Sequence, residues 1–180
     1  LIIFFWKHAK SLATKTKSAM LFALVFSLLG DILLMFVDVA ANFFIGGLVA
    51  FLLAHIMYIL IFLKQRGPHQ IKPLFIAVVL IYATGLFYIL YPGLGEMFIP
   101  VIVYMTAILI MVVSASLRKN SASKSSYNLV FIGALFFMVS DSILAVNKFH
   151  QPVPLSGFLI MTTYATAQYL IVMGILKQKA

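Results

Sequence analysis

The chain has no cysteine, only four acidic residues among 180, and just 9% charged residues of any kind. The first absence excludes disulfides, thiolate nucleophiles and cysteine-ligated metals. The second leaves Asp31, Asp38, Glu96 and Asp141 as the carboxylates from which any acid–base site must be built. The third excludes an ordinary soluble domain, which carries ~25% charged residues. What is present instead is apolar: 64% of residues are hydrophobic and the mean hydropathy is +1.13. No soluble fold of this size has enough interior to hide so much apolar side chain, so the composition implies an integral membrane protein. The chain opens on "LIIFFW" without a methionine, and no small-residue cleavage site follows. It is therefore expected to lack an N-terminal piece, not to carry a signal peptide.

Six runs are long enough to cross a bilayer, which takes about 20 mostly apolar residues. They are Ala19–Val37, Phe43–Leu63, Leu74–Tyr91, Met97–Leu117, Tyr127–Val146 and Leu155–Leu176, and Leu1–Trp6 reads as the stump of an earlier one. Turn-forming stretches such as "QRGPHQIKP", "YPGLGE" and "NKFHQPVP" separate them. The fold class that follows is all-α: a polytopic transmembrane helix bundle, with residues 1–180 forming a single domain. Basic residues alternate between the loops. Of the 13 Lys and Arg, 12 fall before the first run, between the second and third, between the fourth and fifth, or after the sixth, leaving Lys148 on the other side. The positive-inside rule puts those loops and the C-terminus in the cytoplasm. A nucleic-acid site would gather its charge on one surface element, so no nucleic-acid partner is expected, and attraction to lipid headgroups follows as a by-product.

The runs also repeat. The first carries "LLGDILLMFVD" and the fifth "MVSDSILAVNK", with their aspartates 110 residues apart. The runs that follow end in blocks of equal length closing on the same tripeptide, "AHIMYILIFLKQ" at Ala54–Gln65 and "AQYLIVMGILKQ" at Ala167–Gln178. The bundle therefore contains an internal repeat of helix pairs, and such symmetry often places a membrane site where the repeats meet.

Asp38 and Glu96 fall at outer helix ends, where water or headgroups solvate them. Asp31 and Asp141 lie about 10 Å deeper at ~1.5 Å per residue, where an ionisable group costs a few kcal/mol even on lenient insertion scales. The runs hold no lysine or arginine at that depth to neutralise them, which makes function the default reading. Two carboxylates at one depth on repeat-related helices are expected to meet across the bundle. Ser27 and Asp31 share a helix face, as do His55 and Tyr58, and Tyr164 and Gln168. Tyr104 reaches the same level. These groups are expected to line one polar pocket opening toward the outer half of the membrane, with Asn42, Asn147 and Lys148 near its headgroup end. Plainer roles stay open: Tyr82, Tyr88 and Tyr91 read as interfacial anchors, and a lone histidine often links helices by a hydrogen bond. No metal is expected, because zinc needs three or four ligands and only His55 of the four histidines lies within a run.

Four segments, "FSLLGDILLM", "NFFIGGLVAFLLAHIMYI", "FMVSDSILAVNKF" and "TYATAQYLI", resemble in their order the YhhN-like lysoplasmalogenases, over nearly the whole chain. The resemblance rests on the set GD-x-x-L, AH-x-x-Y, SD-x-x-LA and Y-x-x-x-Q. It implies about eight helices in the complete protein, with "LIIFFWKH" the remainder of the second, so that roughly one and a half helices are absent here. It implies hydrolysis of the vinyl ether bond of a lysoplasmalogen, a lysophospholipid substrate in the bilayer, to a fatty aldehyde and a glycerophospho-base. The family's two intramembrane aspartates then correspond to Asp31 and Asp141. No cofactor and no obligate protein partner are expected.

The chemistry fits two carboxylates. Vinyl ethers resist hydroxide and hydrolyse by acid: a proton goes to the β carbon, leaving an oxocarbenium ion that water attacks. Enclosing two carboxyls together keeps one protonated while the other ionises, giving an acid and an anion that titrate as a unit. His55, Tyr58, Tyr104, Tyr164 and Gln168 are then candidates to bind the substrate or hold the water. Two readings from other classes remain. One is a small proton-coupled transporter using the paired aspartates, although no Pro, and Gly30 alone among glycines, interrupts the aspartate helices near them. The other is a lipid-binding bundle without chemistry.

Overall fold

The computed structural model describes residues 1–68 and 72–178, so His69 and Lys179, which the sequence puts in a loop and at the C-terminal end, lie outside the described residues. Among the described residues there are seven α-helices and no strand: α1 (Ile2–His8), α2 (Thr14–Leu34), α3 (Ala41–Lys64), α4 (Pro73–Leu90), α5 (Phe98–Ser116), α6 (Lys124–Phe149) and α7 (Ser156–Leu176). The last six are long and apolar enough to cross a membrane, which makes this an integral multi-pass membrane protein. They match the six apolar runs with shifted ends. α2 starts at Thr14, earlier than its apolar run, because "TKTKS" contains no helix breaker, and it gives way to a turn after Leu34.

Local chemistry sets several ends. Pro73 opens α4, where its missing N–H is not needed. Ser123 caps α6, its Oγ accepting the Ser126 N–H at 3.2 Å. The α6–α7 turn holds Pro152 and Pro154, and the Asn147 side-chain oxygen accepts the Val153 N–H at 2.9 Å.

The repeat pairs α2–α3 and α6–α7 are the most closely packed helices of the bundle, and α5 packs on both α3 and α6. At Gly133 on α6 an added Cβ would stand 3.0 Å from the Ala167 carbonyl oxygen, so glycine is what lets α7 approach. The offset that aligns Ala54 with Ala167 also aligns Phe51 with Tyr164 and His55 with Gln168. The Phe51 and Tyr164 rings meet edge-on with centroids 5.7 Å apart, so α3 and α7 touch at equivalent residues. α4 packs least and turns most of its surface outward.

At the end of the bundle where α3, α5 and α7 finish, Arg118 is fully buried. Its Nε donates to Gln65 Oε1 at 2.8 Å, and its terminal nitrogens donate to Ser126 Oγ at 2.9 Å and Ser126 O at 3.3 Å. Ser126 Oγ in turn donates to the Gly174 carbonyl at 2.7 Å, so one guanidinium ties four helices together. Burial pushes the Arg118 guanidinium down to about 10, which leaves it cationic near neutrality. It is a structural clamp, not the solvated loop charge that its place among the basic loops suggests. Arg118→Ala leaves Gln65 and Ser126 without their donor and is expected to cost about 1–3 kcal/mol. Arg118→Met, which fills the space without a charge, is expected to cost less. The melting temperature of the detergent-solubilised protein measures both, and an Arg118→Ala variant that melts with the wild type would show the clamp to be idle.

Candidate functional site

Asp31 sits on α2 one turn beyond Ser27, on the same face. Across from it, Tyr164 and Gln168 occupy one face of α7. Tyr164 Oη donates to Asp31 Oδ2 at 2.9 Å. Gln168 Nε2 donates to Ser27 Oγ at 2.9 Å and to Tyr164 Oη at 3.3 Å, and Gln168 Oε1 accepts from Tyr58 Oη at 2.6 Å. Ser27, Tyr58 and Gln168 are buried, so this is a closed polar network in which each member has a partner.

Asp141 on α6 has a different company. Tyr104 Oη, from α5, donates to Asp141 Oδ2 at 3.0 Å. His55 Nε2, from α3, stands 3.6 Å from the same oxygen. His55 is fully buried, edge-on to Phe137 at 4.7 Å and to Tyr104 at 5.4 Å; its ring lies by the Phe51 backbone carbonyl, and its Nε2 has no hydrogen-bond partner. Among the described residues no lysine or arginine lies within 4.0 Å of either carboxylate.

The two carboxylates face separate cavities, where the sequence suggests one. Asp141 lines a narrow cavity of about 40 Å³ among α3, α4, α5 and α6, walled by apolar side chains including Leu48, Ala83, Leu86, Met105 and Leu144. Asp31 lines a wider opening of about 490 Å³ beside α1, α2 and α7, with Ser27, Tyr164 and Gln168. Aromatic rings stand between the two groups: Phe137 packs on His55, Tyr58 and Tyr164, and on Phe51. The repeat explains the partition, because the position equivalent to Ser27 is Phe137, so a small hydroxyl in one half is a ring in the other.

Of the side chains singled out by sequence, eight gather here: Ser27, Asp31, Tyr58, Tyr164 and Gln168 in one group, His55, Tyr104 and Asp141 in the other. Asn42 is exposed in the first turn of α3, and Asn147 serves the α6–α7 turn; neither lines the two cavities. Asp38 and Glu96 are exposed, as their positions at helix ends suggest. Tyr82, read from sequence as an anchor, lines the Asp141 cavity and donates to Ser142 Oγ at 2.6 Å, since the Ser142 hydroxyl is itself used on the Met138 carbonyl. No spacing rule links Tyr82 to Ser142, because they come from helices that are not neighbours in sequence.

The sequence pattern of the YhhN family matches residues 1–175. The chain belongs to the YhhN family. Among similar curated proteins, lysoplasmalogenase TMEM86A of Homo sapiens is 35% identical over 179 residues, covering 93% of this chain and 69% of the human protein. Its Bos taurus counterpart is 31% identical over 169 residues, covering 87% of this chain and 64% of that protein. A lysoplasmalogenase of Mycobacterium tuberculosis (strain CDC 1551 / Oshkosh) is 31% identical over 136 residues, 73% of this chain and 50% of the bacterial protein. The chain thus spans between half and about two thirds of the length of these relatives. No solved structure matches it. This YhhN chain holds both intramembrane aspartates, each with a phenol donating to it, on helices joined by an aromatic partition.

Proposed function

We propose that the chain is a membrane-embedded hydrolase that cleaves the vinyl ether bond of a lysoplasmalogen, releasing a fatty aldehyde and a glycerophospho-base. The observation that carries this reading is the Asp141 cavity: one carboxyl with the Tyr104 phenol, and the paired Tyr82 and Ser142 hydroxyls, in an otherwise apolar opening between helices, beside the loosely packed α4. The alkenyl chain lies along the apolar walls, which brings the vinyl ether to Asp141. Asp141 gives its proton to the β carbon, and water adds to the oxocarbenium carbon. A proton from that water returns to the carboxylate, and the hemiacetal collapses to aldehyde and alcohol. Asp31, held by Tyr164 beyond the aromatic partition, is the second carboxylate, and its charge stabilises the cation through a low-dielectric interior. The lysoplasmalogenase names of the relatives favour this reading over proton-coupled transport. The basic loops and the C-terminus are proposed to face the cytoplasm, which leaves both aspartates in the outer half of the membrane.

The test is aldehyde release by the reconstituted protein. A lysoplasmalogen is expected to yield free fatty aldehyde, while the saturated 1-alkyl ether of the same headgroup yields none, because it has no double bond to protonate. Failure with the vinyl ether would overturn the reading. Ala83→Trp, which fills the cavity wall on α4, is expected to suppress turnover of long-chain substrates about 10-fold or more and to spare short-chain ones. Equal suppression of both would place the chain elsewhere.

A further inference from the structure

The two halves of the repeat hold their aspartates differently. At Asp31 the equivalent helix of the other repeat presents Tyr164 and Gln168, and Gln168 is bonded through both ends of its amide. At Asp141 the same two positions hold Phe51, whose side chain has no hydrogen bond to give, and His55, whose ring lies by the Phe51 backbone carbonyl and whose Nε2 is unpartnered in a fully buried site. Tyr104 from α5 supplies the phenol that Phe51 lacks. A buried polar side chain left without partners is expensive unless it has work to do.

We propose that His55 is the positioning residue of the Asp141 half-site: with its proton on Nε2 it donates to Asp141 Oδ2 when substrate closes the cavity. In the resting structure that gap is 3.6 Å, too long for a hydrogen bond. Such contacts often tighten only in the substrate complex. Tyr104 and His55 then converge on one carboxyl oxygen, Oδ2, which fixes the plane of the carboxyl and turns Oδ1 to the cavity. Oδ1 carries the proton that goes to the vinyl carbon, while the two donors stabilise the negative charge that appears on Oδ2 as the proton leaves. His55 does not touch the substrate and exchanges no atoms with it. The Asp31 half-site, closed by its own hydrogen bonds, has no comparable free donor, so the two aspartates play unequal parts. This rests on the lysoplasmalogenase reading for its substrate.

The test compares three variants at His55. His55→Leu removes the donor, and kcat is expected to fall ~10- to 10²-fold, the scale of a misplaced catalytic group, with KM nearly unchanged. His55→Gln places an amide N–H where Nε2 stands, as Gln168 does in the other repeat, and is expected to restore most of the rate. His55→Asn is too short to reach Oδ2 and should stay slow, which keeps the comparison with Gln decisive if the Leu variant does not fold. A His55→Leu protein with wild-type kcat, or a Gln variant as slow as the Asn one, overturns the proposal. A wild type that releases no aldehyde overturns the function reading instead. The positioning role is then read from the Asp141 carboxyl stretch in infrared difference spectra against Asp141→Asn, recorded with the saturated 1-alkyl ether lysolipid filling the cavity. That band is expected to shift in His55→Asn and to return in His55→Gln, and a band unmoved by either substitution overturns it.

Discussion

Asp141→Asn is expected to lower aldehyde release from lysoplasmalogen by ~10²–10⁴-fold while the protein still inserts and folds. The amide keeps the size of the side chain and can still accept the Tyr104 hydrogen bond that Asp141 Oδ2 receives at 3.0 Å. What it loses is the transferable proton. Asp31→Asn is expected to be comparably slow, because the oxocarbenium ion then forms with no anion beyond the partition to stabilise it. If the two carboxyls serve one transition state, the double variant is little worse than Asp141→Asn alone, since groups that act as a unit are not additive. Steady-state rates of the three reconstituted variants, with melting curves to show that each is folded, decide the matter. An Asp141→Asn enzyme near the wild-type rate would remove the acid from the mechanism, and a fully active Asp31→Asn enzyme would reduce Asp31 to a helix-linking role.

The second large effect is structural and reaches the same cavity. Gly93 closes the turn between α4 and α5, where it lies against the end of α6. A Cβ on Gly93 would overlap the carbonyl oxygen of Phe149, which is backbone and cannot swing aside as a side chain could. Gly93→Ala must therefore lift the α4–α5 turn off α6. The expected loss is about 3 kcal/mol, the upper end for overpacking a tight contact. Phe149, Leu86 and Val101 line the Asp141 cavity near this turn, so the variant is also expected to lose long-chain turnover out of proportion to its residual folded fraction. Thermal melting and activity at a temperature where the variant is folded measure the two effects separately. A Gly93→Ala protein that melts with the wild type would show that the turn has room the packing does not suggest.

Much of the scaffold is legible in the sequence because the membrane imposes so narrow a grammar. Every span must be helical and about 20 residues long, so hydropathy alone finds α2 to α7. Asp31 and Asp141 stand out for the same reason: in apolar text a carboxylate is conspicuous. The tertiary partners are less visible. Helix spacing puts Tyr164 and Gln168 on one face, but not which aspartate that face meets. The division into two cavities depends on a place where the repeats differ in size, Ser27 against Phe137, and on rings from α3 that fill the gap. Arg118 is hidden in another way. It sits among exposed lysines in a basic loop, and its burial is set by Gln65 and Ser126 from two other helices. Tyr82 is missed because a tyrosine in an apolar helix looks alike whether it faces lipid or lines a cavity.

Single-turnover aldehyde formation in H₂O and in D₂O tests the central claim most directly, because proton transfer to carbon is the step the account assigns to Asp141. The account expects the wild-type rate to fall clearly in D₂O, with the pH-equivalent solution as control. A rate that is unchanged or faster in D₂O would contradict proton donation from a carboxyl as the step that breaks the vinyl ether.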